Sequence, residues 1–104
     1  ELLAQRDTGP VFADADFTEL GYQLLQGGNI ESAVYVFEKG TQLYPDSWNA
    51  HDSLGEALLK AGRKEQAIQQ YRKSLELNPR NQEAKKILEE LGASMAARGW
   101  AAGR

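Results

Sequence analysis

The sequence predicts an all-α protein built as a helical repeat, with about five helices arranged as antiparallel pairs in a short right-handed solenoid. The first observation is internal repetition: residues 17–45 and 51–79 align without a gap, 34 residues apart, and 10 of the 29 aligned positions are identical. The second is the i, i+3, i+4, i+7 spacing of apolar residues within each copy, which indicates amphipathic helices. The third is a glycine and a proline at matching places in both copies, which mark the turns between helices.

The first copy predicts two helices joined by a glycine turn. The first helix should run from about residue 16 to residue 27, with Asp16 and Glu19 forming a capping pattern at its start. Gly27 and Gly28 follow it, and glycine accepts the left-handed geometry of a helix end at little cost. Asn29 should cap the second helix, over residues 30–43, which Pro45 stops.

The second copy predicts the same plan, followed by one more helix. Asp46 or Ser47 caps a helix over residues 48–61, and Gly62 turns the chain into a helix over residues 64–77. Asn81 should cap a fifth helix, which closes the array and runs over residues 82–91, extending to residue 97 at most. The predicted division is a linker or remnant over residues 1–13, repeats over 14–47 and 48–81, a capping helix over 82–91, and a flexible tail over 92–104.

Small, aromatic and turn residues recur at matching places in both copies. They are Leu20, Gly21, Gly28, Ala33, Phe37 and Pro45 in the first copy and Leu54, Gly55, Gly62, Ala67, Tyr71 and Pro79 in the second. This pattern resembles the tetratricopeptide repeat over residues 14–91, as two repeats and a C-terminal capping helix, with Gly40 and Ser74 where the family usually has alanine. We expect the small residues to let paired helices approach closely, while the aromatic rings fill the space between repeats.

A weaker, local similarity covers residues 44–57. This segment is similar to repeat segments that follow the catalytic domains of some bacterial serine hydrolases. The similarity implies a larger parent protein and assigns no chemistry to the residues of this chain.

Composition excludes several kinds of site. The sequence has no cysteine, which excludes disulfides and thiolate metal sites, and it contains neither a calcium-loop pattern nor a glycine-rich phosphate motif. We therefore expect no metal and no cofactor. No apolar run approaches about 18 residues, so we expect no membrane-spanning segment. Arg80, Lys85 and Lys86 form too small a basic cluster for nucleic acid in a chain of pI 5.1.

His51 is the only histidine and the only candidate for catalysis of the serine–histidine type. Ser47 precedes it by one helical turn, but no oxyanion donor can be identified. The tetratricopeptide resemblance places His51 at a contact between helices. We therefore expect no enzymatic activity from this chain by itself.

Charge is unevenly distributed along the chain. Residues 1–62 contain three basic and ten acidic side chains, whereas residues 63–104 contain nine basic and five acidic ones. This asymmetry is consistent with solvated faces of different sign, or with head-to-tail association or a charged partner at one end.

The resemblance implies a function: binding of a peptide or a partner-protein segment in the concave groove formed by the first helix of each repeat. The main groove candidates are Thr18, Glu19, Tyr22, Leu25, Asn49, Asp52, Glu56, Leu59, Lys86 and Glu90. The same face should also display Gln26, Lys60, Glu83 and Ile87. Some family members bind an acidic C-terminal tail through a Lys/Asn/Arg clamp, but the matching positions here hold Thr18, Tyr22 and Glu56. We therefore expect a basic or apolar segment as the ligand.

The alternative is that the chain is a docking or homo-oligomerisation appendage of a larger protein. Two repeats and a capping helix bury little surface, which favours a further contact with a neighbouring domain or a second copy. The first helix has no predicted neighbour on its outer side. Its apolar residues, including Phe12 and Phe17, are then the expected contact for self-association.

Overall fold

Five helices form the described part of the chain, residues 13–92, in a computed structural model. They are α1 (Asp14–Gln26), α2 (Ile30–Leu43), α3 (Trp48–Lys60), α4 (Lys64–Leu77) and α5 (Gln82–Glu90). The prediction of an all-α helical repeat is confirmed. Residues 1–12 of the predicted linker and residues 93–104 of the predicted tail lie outside the described residues.

The helices pack in chain order. The most extensive contacts lie within the pairs α1/α2 and α3/α4, followed by the contact of α2 with α3 and of α4 with α5. Three-residue turns join the helices of each pair, so neighbouring helices run antiparallel. The first helices α1 and α3 also touch. This contact places the first helices of successive pairs side by side on one face of the domain.

The helix ends follow local sequence rules at most places. Helices α2 and α4 begin and end at the predicted residues. Gly28 and Gly62 have positive φ angles of 84° and 80° in the two turns, which explains why glycine recurs there. The Ser47 hydroxyl accepts a hydrogen bond from the Ala50 amide, and the Asn81 side chain accepts one from the Ala84 amide. Both predicted caps are therefore confirmed.

Helices α1, α3 and α5 differ from the prediction at one or both ends, and one predicted cap bond is absent. Helices α1 and α3 end at Gln26 and Lys60, one residue earlier than predicted. Helix α1 begins at Asp14, so Asp16 lies in its first turn, where its carboxylate accepts a hydrogen bond from the Ala13 amide at 2.8 Å. Asn29 precedes α2 but makes no side-chain cap bond. Helix α5 ends at Glu90, one residue earlier than predicted, because Gly92 takes a φ of 71° just beyond it.

The core is centred on aromatic rings that lie over glycines. The Phe37 ring of α2 lies over Gly21 of α1, and the Tyr71 ring of α4 lies over Gly55 of α3. Both rings are buried, and Ala33 and Ala67 beside them are fully buried. The small residues at these positions thus allow the paired helices to approach closely, as predicted.

No helix in the described residues is both long and apolar enough to cross a membrane.

Substitution of Gly21 or Gly55 by alanine should destabilise the domain. A Cβ at Gly55 would lie 2.8 Å from Tyr71 Cε2, and a Cβ at Gly21 would overlap the Phe37 ring more closely. We expect overpacking costs of about 1–3 kcal/mol, larger for Gly21→Ala and offset in part by the better helix propensity of alanine. Urea unfolding followed by circular dichroism measures both values.

Gly27→Ala is the matched control, because the nearest atom to a Cβ there is Asn29 Nδ2 at 3.4 Å, outside the packed core. We expect this variant to be as stable as the parent or slightly more stable. Equal losses of stability in all three variants would contradict the role of the ring–glycine contacts.

Candidate peptide-binding groove

Helices α1 and α3 enclose a shallow depression between them, here called the α1/α3 groove. Its volume is about 220 Å³, and it is lined by Tyr22, Leu25, Gln26, Glu56 and Lys60. Tyr22 and Glu56 occupy the same position of the two repeats, 34 residues apart. The groove therefore follows directly from the side-by-side placement of the two first helices.

A second depression lies along helix α5 and is here called the α5 groove. It has a volume of about 450 Å³ and is lined by Gln82, Glu83, Lys86, Ile87 and Glu90. Helix α5 continues the series of first helices after α1 and α3. Three of its five lining residues are charged, two of them acidic.

Tyr22 connects the first repeat to the second. Its hydroxyl donates a hydrogen bond of 2.8 Å to Glu56 Oε1, and its ring meets the Phe37 ring edge-on at a centroid distance of 5.2 Å. Burial raises the pKa of Tyr22 to about 12, with a smaller contribution from the neighbouring Glu56 carboxylate. Tyr22 is therefore a neutral, half-buried side chain whose hydroxyl already has a partner.

Asp52 connects the second repeat to α5. The Asn81 amide donates to Asp52 Oδ1 at 3.3 Å and to the Ser74 hydroxyl at 2.9 Å, while its oxygen caps α5. Burial raises the pKa of the Asp52 carboxyl, and the negative charges of Glu83 and Glu56 raise it further, against the lowering effect of the bonds to Asn81 and Ser74. The shift indicates that acidic side chains from α3 and α5 lie near one another.

The other predicted groove residues are distributed unequally. Thr18 and Asn49 lie at a contact between α1 and α3, where their side chains approach to 3.5 Å. Leu59 packs partly buried against the core. Leu25 is only 8% exposed, so its side chain belongs mainly to the core and reaches the α1/α3 groove with a small edge.

Glu19 lies away from both grooves. It lines a separate depression on the outer side of α1 together with Asp16, Leu20 and Gln23. Lys86 and Glu90, by contrast, both line the α5 groove. The predicted residues that the structure brings together are thus Tyr22, Leu25 and Glu56 in one groove and Lys86 and Glu90 in the other.

Comparison with protein families agrees with this architecture. The family model for the tetratricopeptide repeat matches residues 48–81, which contain α3, α4 and the loop that leads to α5. This match and the five packed helices support a tetratricopeptide-repeat-like domain. Such domains are in general interaction modules and not catalytic ones. No curated protein matches the chain.

His51 has a structural role in the second repeat. Its Nε2 atom lies 2.9 Å from the Pro45 carbonyl oxygen, and its Nδ1 atom lies 2.8 Å from Gln70 Oε1. A carbonyl oxygen can only accept, so Nε2 carries a hydrogen. The Ser47 hydroxyl is engaged with Asp14 Oδ2 at 2.6 Å and with the cap of α3. His51 therefore joins α3 to α4 and to Pro45, and Ser47 joins the start of α3 to Asp14 of α1. The two side chains bond to these residues and not to each other.

Sequence reasoning missed two residues of this surface. Gln82 lines the α5 groove, and Asn81 links Asp52 to α5 in addition to its capping role. The cap at Asn81 has a local sequence signal, but its bond to Asp52 joins residues 29 positions apart, and no local pattern encodes it. The bond depends on how α3 packs against the loop between α4 and α5.

Alkaline pH should unfold the domain partly through Tyr22. An unfolded tyrosine releases its proton near its ordinary pKa of 10.0, whereas the folded Tyr22 retains it to about 12. Between these values unfolding releases a proton. The contribution of Tyr22 to stability is therefore fully present below about pH 10 and is lost as the pH rises towards about 12. Burial also raises the pKa of Tyr71, which acts in the same direction. Urea unfolding at about pH 9 and about pH 11 measures the loss.

Tyr22→Phe should lose less stability over this interval than the parent, because it has no phenol at this position. At neutral pH it should be destabilised by about 1 kcal/mol through loss of the bond to Glu56. An equally steep alkaline loss in the variant would assign the whole effect to other groups.

Proposed function

We propose that the domain binds an extended basic segment of a partner protein across the α1/α3 and α5 grooves. The observation that supports this proposal is the charge of the surface that the first helices share. Three carboxylates line it, those of Glu56, Glu83 and Glu90, against the two ammonium groups of Lys60 and Lys86. The partly buried Asp52 carboxylate lies close to Glu83 and Glu56.

The carboxylates differ in how strongly they are already engaged. Glu56 accepts the bond from Tyr22, and Asp52 accepts the bond from Asn81. Glu83 and Glu90 are exposed on α5. We assign the main electrostatic attraction for the ligand to these two residues, because an exposed carboxylate can turn towards an arginine or a lysine without breaking a bond within the fold.

Apolar contacts on the same surface would determine which basic segments bind. Ile87 lies in the α5 groove, partly buried, and the edge of the half-buried Tyr22 ring lines the α1/α3 groove. Apolar side chains on the ligand would bury themselves at these places and leave its basic side chains next to Glu83 and Glu90. The proposed ligand is therefore a segment in which apolar and basic residues alternate.

A synthetic peptide of alternating leucine and arginine provides the first binding test. Fluorescence anisotropy should show saturable binding that weakens as salt is added, whereas a glutamate-rich peptide with a free carboxyl terminus should not bind. Amide shifts in a nuclear magnetic resonance titration should concentrate on α1, α3 and α5. Tighter binding of the acidic peptide would overturn the proposal.

Helix α5 supplies a matched pair of variants, because Glu89 and Glu90 are adjacent and both exposed but only Glu90 lines the groove. We expect Glu90→Lys to weaken binding of the leucine–arginine peptide by about three- to tenfold, since it replaces attraction by repulsion, and Glu89→Lys to leave it nearly unchanged. Equal effects of the two variants would show that only the overall charge of the domain matters.

A further inference from the structure

The outer side of α1 differs from the matching surfaces of α3 and α5. Leu54 and Leu88, at the same position of the later first helices, are 4% and 2% exposed, whereas Leu20 is 40% exposed. Asp16, Glu19 and Gln23 surround Leu20. The corresponding residues around Leu54 are Ala50, Ser53 and Ala57, all buried. The surface formed by Asp16, Glu19, Leu20 and Gln23 is here called the α1 edge. It presents one exposed apolar side chain beside two carboxylates.

A depression of about 310 Å³ lies at the other end of the domain, where α4 meets α5. It is here called the α4/α5 depression, and it is lined by Arg72, Leu75, Glu76, Pro79 and Lys85. Leu75 and Pro79 provide apolar surface, while Arg72 and Lys85 give it a net positive charge. Lys85 occupies the position that His51 has in the preceding repeat. The ring of His51 is in hydrogen-bond contact with Gln70 and Pro45.

A regular continuation of the repeat is not available at this end. Glu89 stands where α1 and α3 have Gly21 and Gly55, the residues over which an aromatic ring of the second helix packs. A glutamate side chain occupies the space that such a ring needs. An occupant of the α4/α5 depression therefore binds from outside and does not extend the solenoid as a third complete repeat.

We propose that the α1 edge of one molecule docks into the α4/α5 depression of a second copy, head to tail. Leu20 enters the apolar floor formed by Leu75 and Pro79, and the carboxylates of Asp16 and Glu19 face Lys85. The charge distribution supports this choice of partner, because residues 13–62 contain two basic and eight acidic side chains whereas residues 63–92 contain seven basic and five acidic ones. Head-to-tail alignment brings unlike ends together.

The proposed contact is heterologous, since the two copies contribute different surfaces. Such a contact continues from copy to copy, into an open chain or, where the rotation between copies closes, into a ring, and does not stop at a dimer. A contact restricted to one projection and one depression is small, and we expect weak association that is apparent only at high protein concentration. It is independent of the peptide grooves, which lie on the face formed by α1, α3 and α5.

Sedimentation equilibrium of the full chain at low salt tests the association. The average mass should rise with concentration without levelling off at a dimer, and added salt should reduce it. Leu20→Ser and Lys85→Glu should each lower the association constant roughly tenfold, and the double variant Glu19→Lys/Lys85→Glu should recover most of the loss because it exchanges the charges of one pair. Lys64→Glu, which makes the same change in net charge at an exposed position outside the depression, should associate like the parent.

Carbodiimide coupling in an equal mixture of ¹⁴N- and ¹⁵N-labelled chains locates the contact. The expected product joins Asp16 or Glu19 of one isotope to Lys85 of the other. A mass that stays monomeric at all concentrations, a closed dimer, or association that Leu20→Ser leaves unchanged would overturn the proposal. Nuclear Overhauser contacts between Leu75 and Met95 or Trp100 within one chain would also overturn it, because the chain itself would then fill the depression.

Discussion

The close contact between an aromatic ring and a glycine determines the spacing of the paired helices. Where Phe37 lies over Gly21 and Tyr71 lies over Gly55, the ring occupies the space in which any other residue would have its Cβ atom. The helices can therefore approach closely enough to bury Ala33 and Ala67 completely. The other contacts within each helix pair are made at the distances that this approach sets, because packed interiors tolerate little change in volume.

The α1/α3 groove depends on the same constraint. Phe37 packs over Gly21 and also meets the Tyr22 ring edge-on, so one side chain positions both the backbone and the neighbouring residue of α1. Held in this way, Tyr22 reaches Glu56 of α3 with its hydroxyl. The repeat thus builds its groove from residues that are adjacent in sequence to its packing residues, which is why core and surface cannot vary independently here.

Local features of the sequence predict most of the fold. Helices α2 and α4 have the predicted bounds, and Ser47 and Asn81 cap as expected, because apolar spacing, capping and turn residues act over a few positions. The start of α1 was predicted two residues too late. An aspartate such as Asp16 can bond to a backbone amide at the start of a helix either as the N-cap residue or from the first turn. Only the bond from the Ala13 amide distinguishes them.

The surface was less predictable, because exposure depends on which helices are neighbours. Leu20 and Leu54 have the same local sequence signal but differ tenfold in exposure, since α3 follows another repeat and α1 begins the described array. For the same reason Glu19 lies on the outer side of α1, although Ser53 at the matching position is buried. Phe17, expected on the outer side, packs against Gly40 and Tyr44 of the first repeat instead, and Phe12 lies outside the described residues.

Matching positions of the repeat therefore perform different tasks, and the differences are concentrated at the two ends. The glycine that admits an aromatic ring in α1 and α3 becomes Glu89 in α5, and the buried Ala50 and Ala57 of α3 become Asp16 and Gln23 in α1. Each change replaces a small residue by a polar one that a further packed helix would have to desolvate, at a cost of several kcal/mol if it stayed unpaired. At these positions the two ends therefore lack the small residues over which a further helix would pack. The α1/α3 groove, by contrast, is lined by Leu25 of the core and by Tyr22, which packs against it.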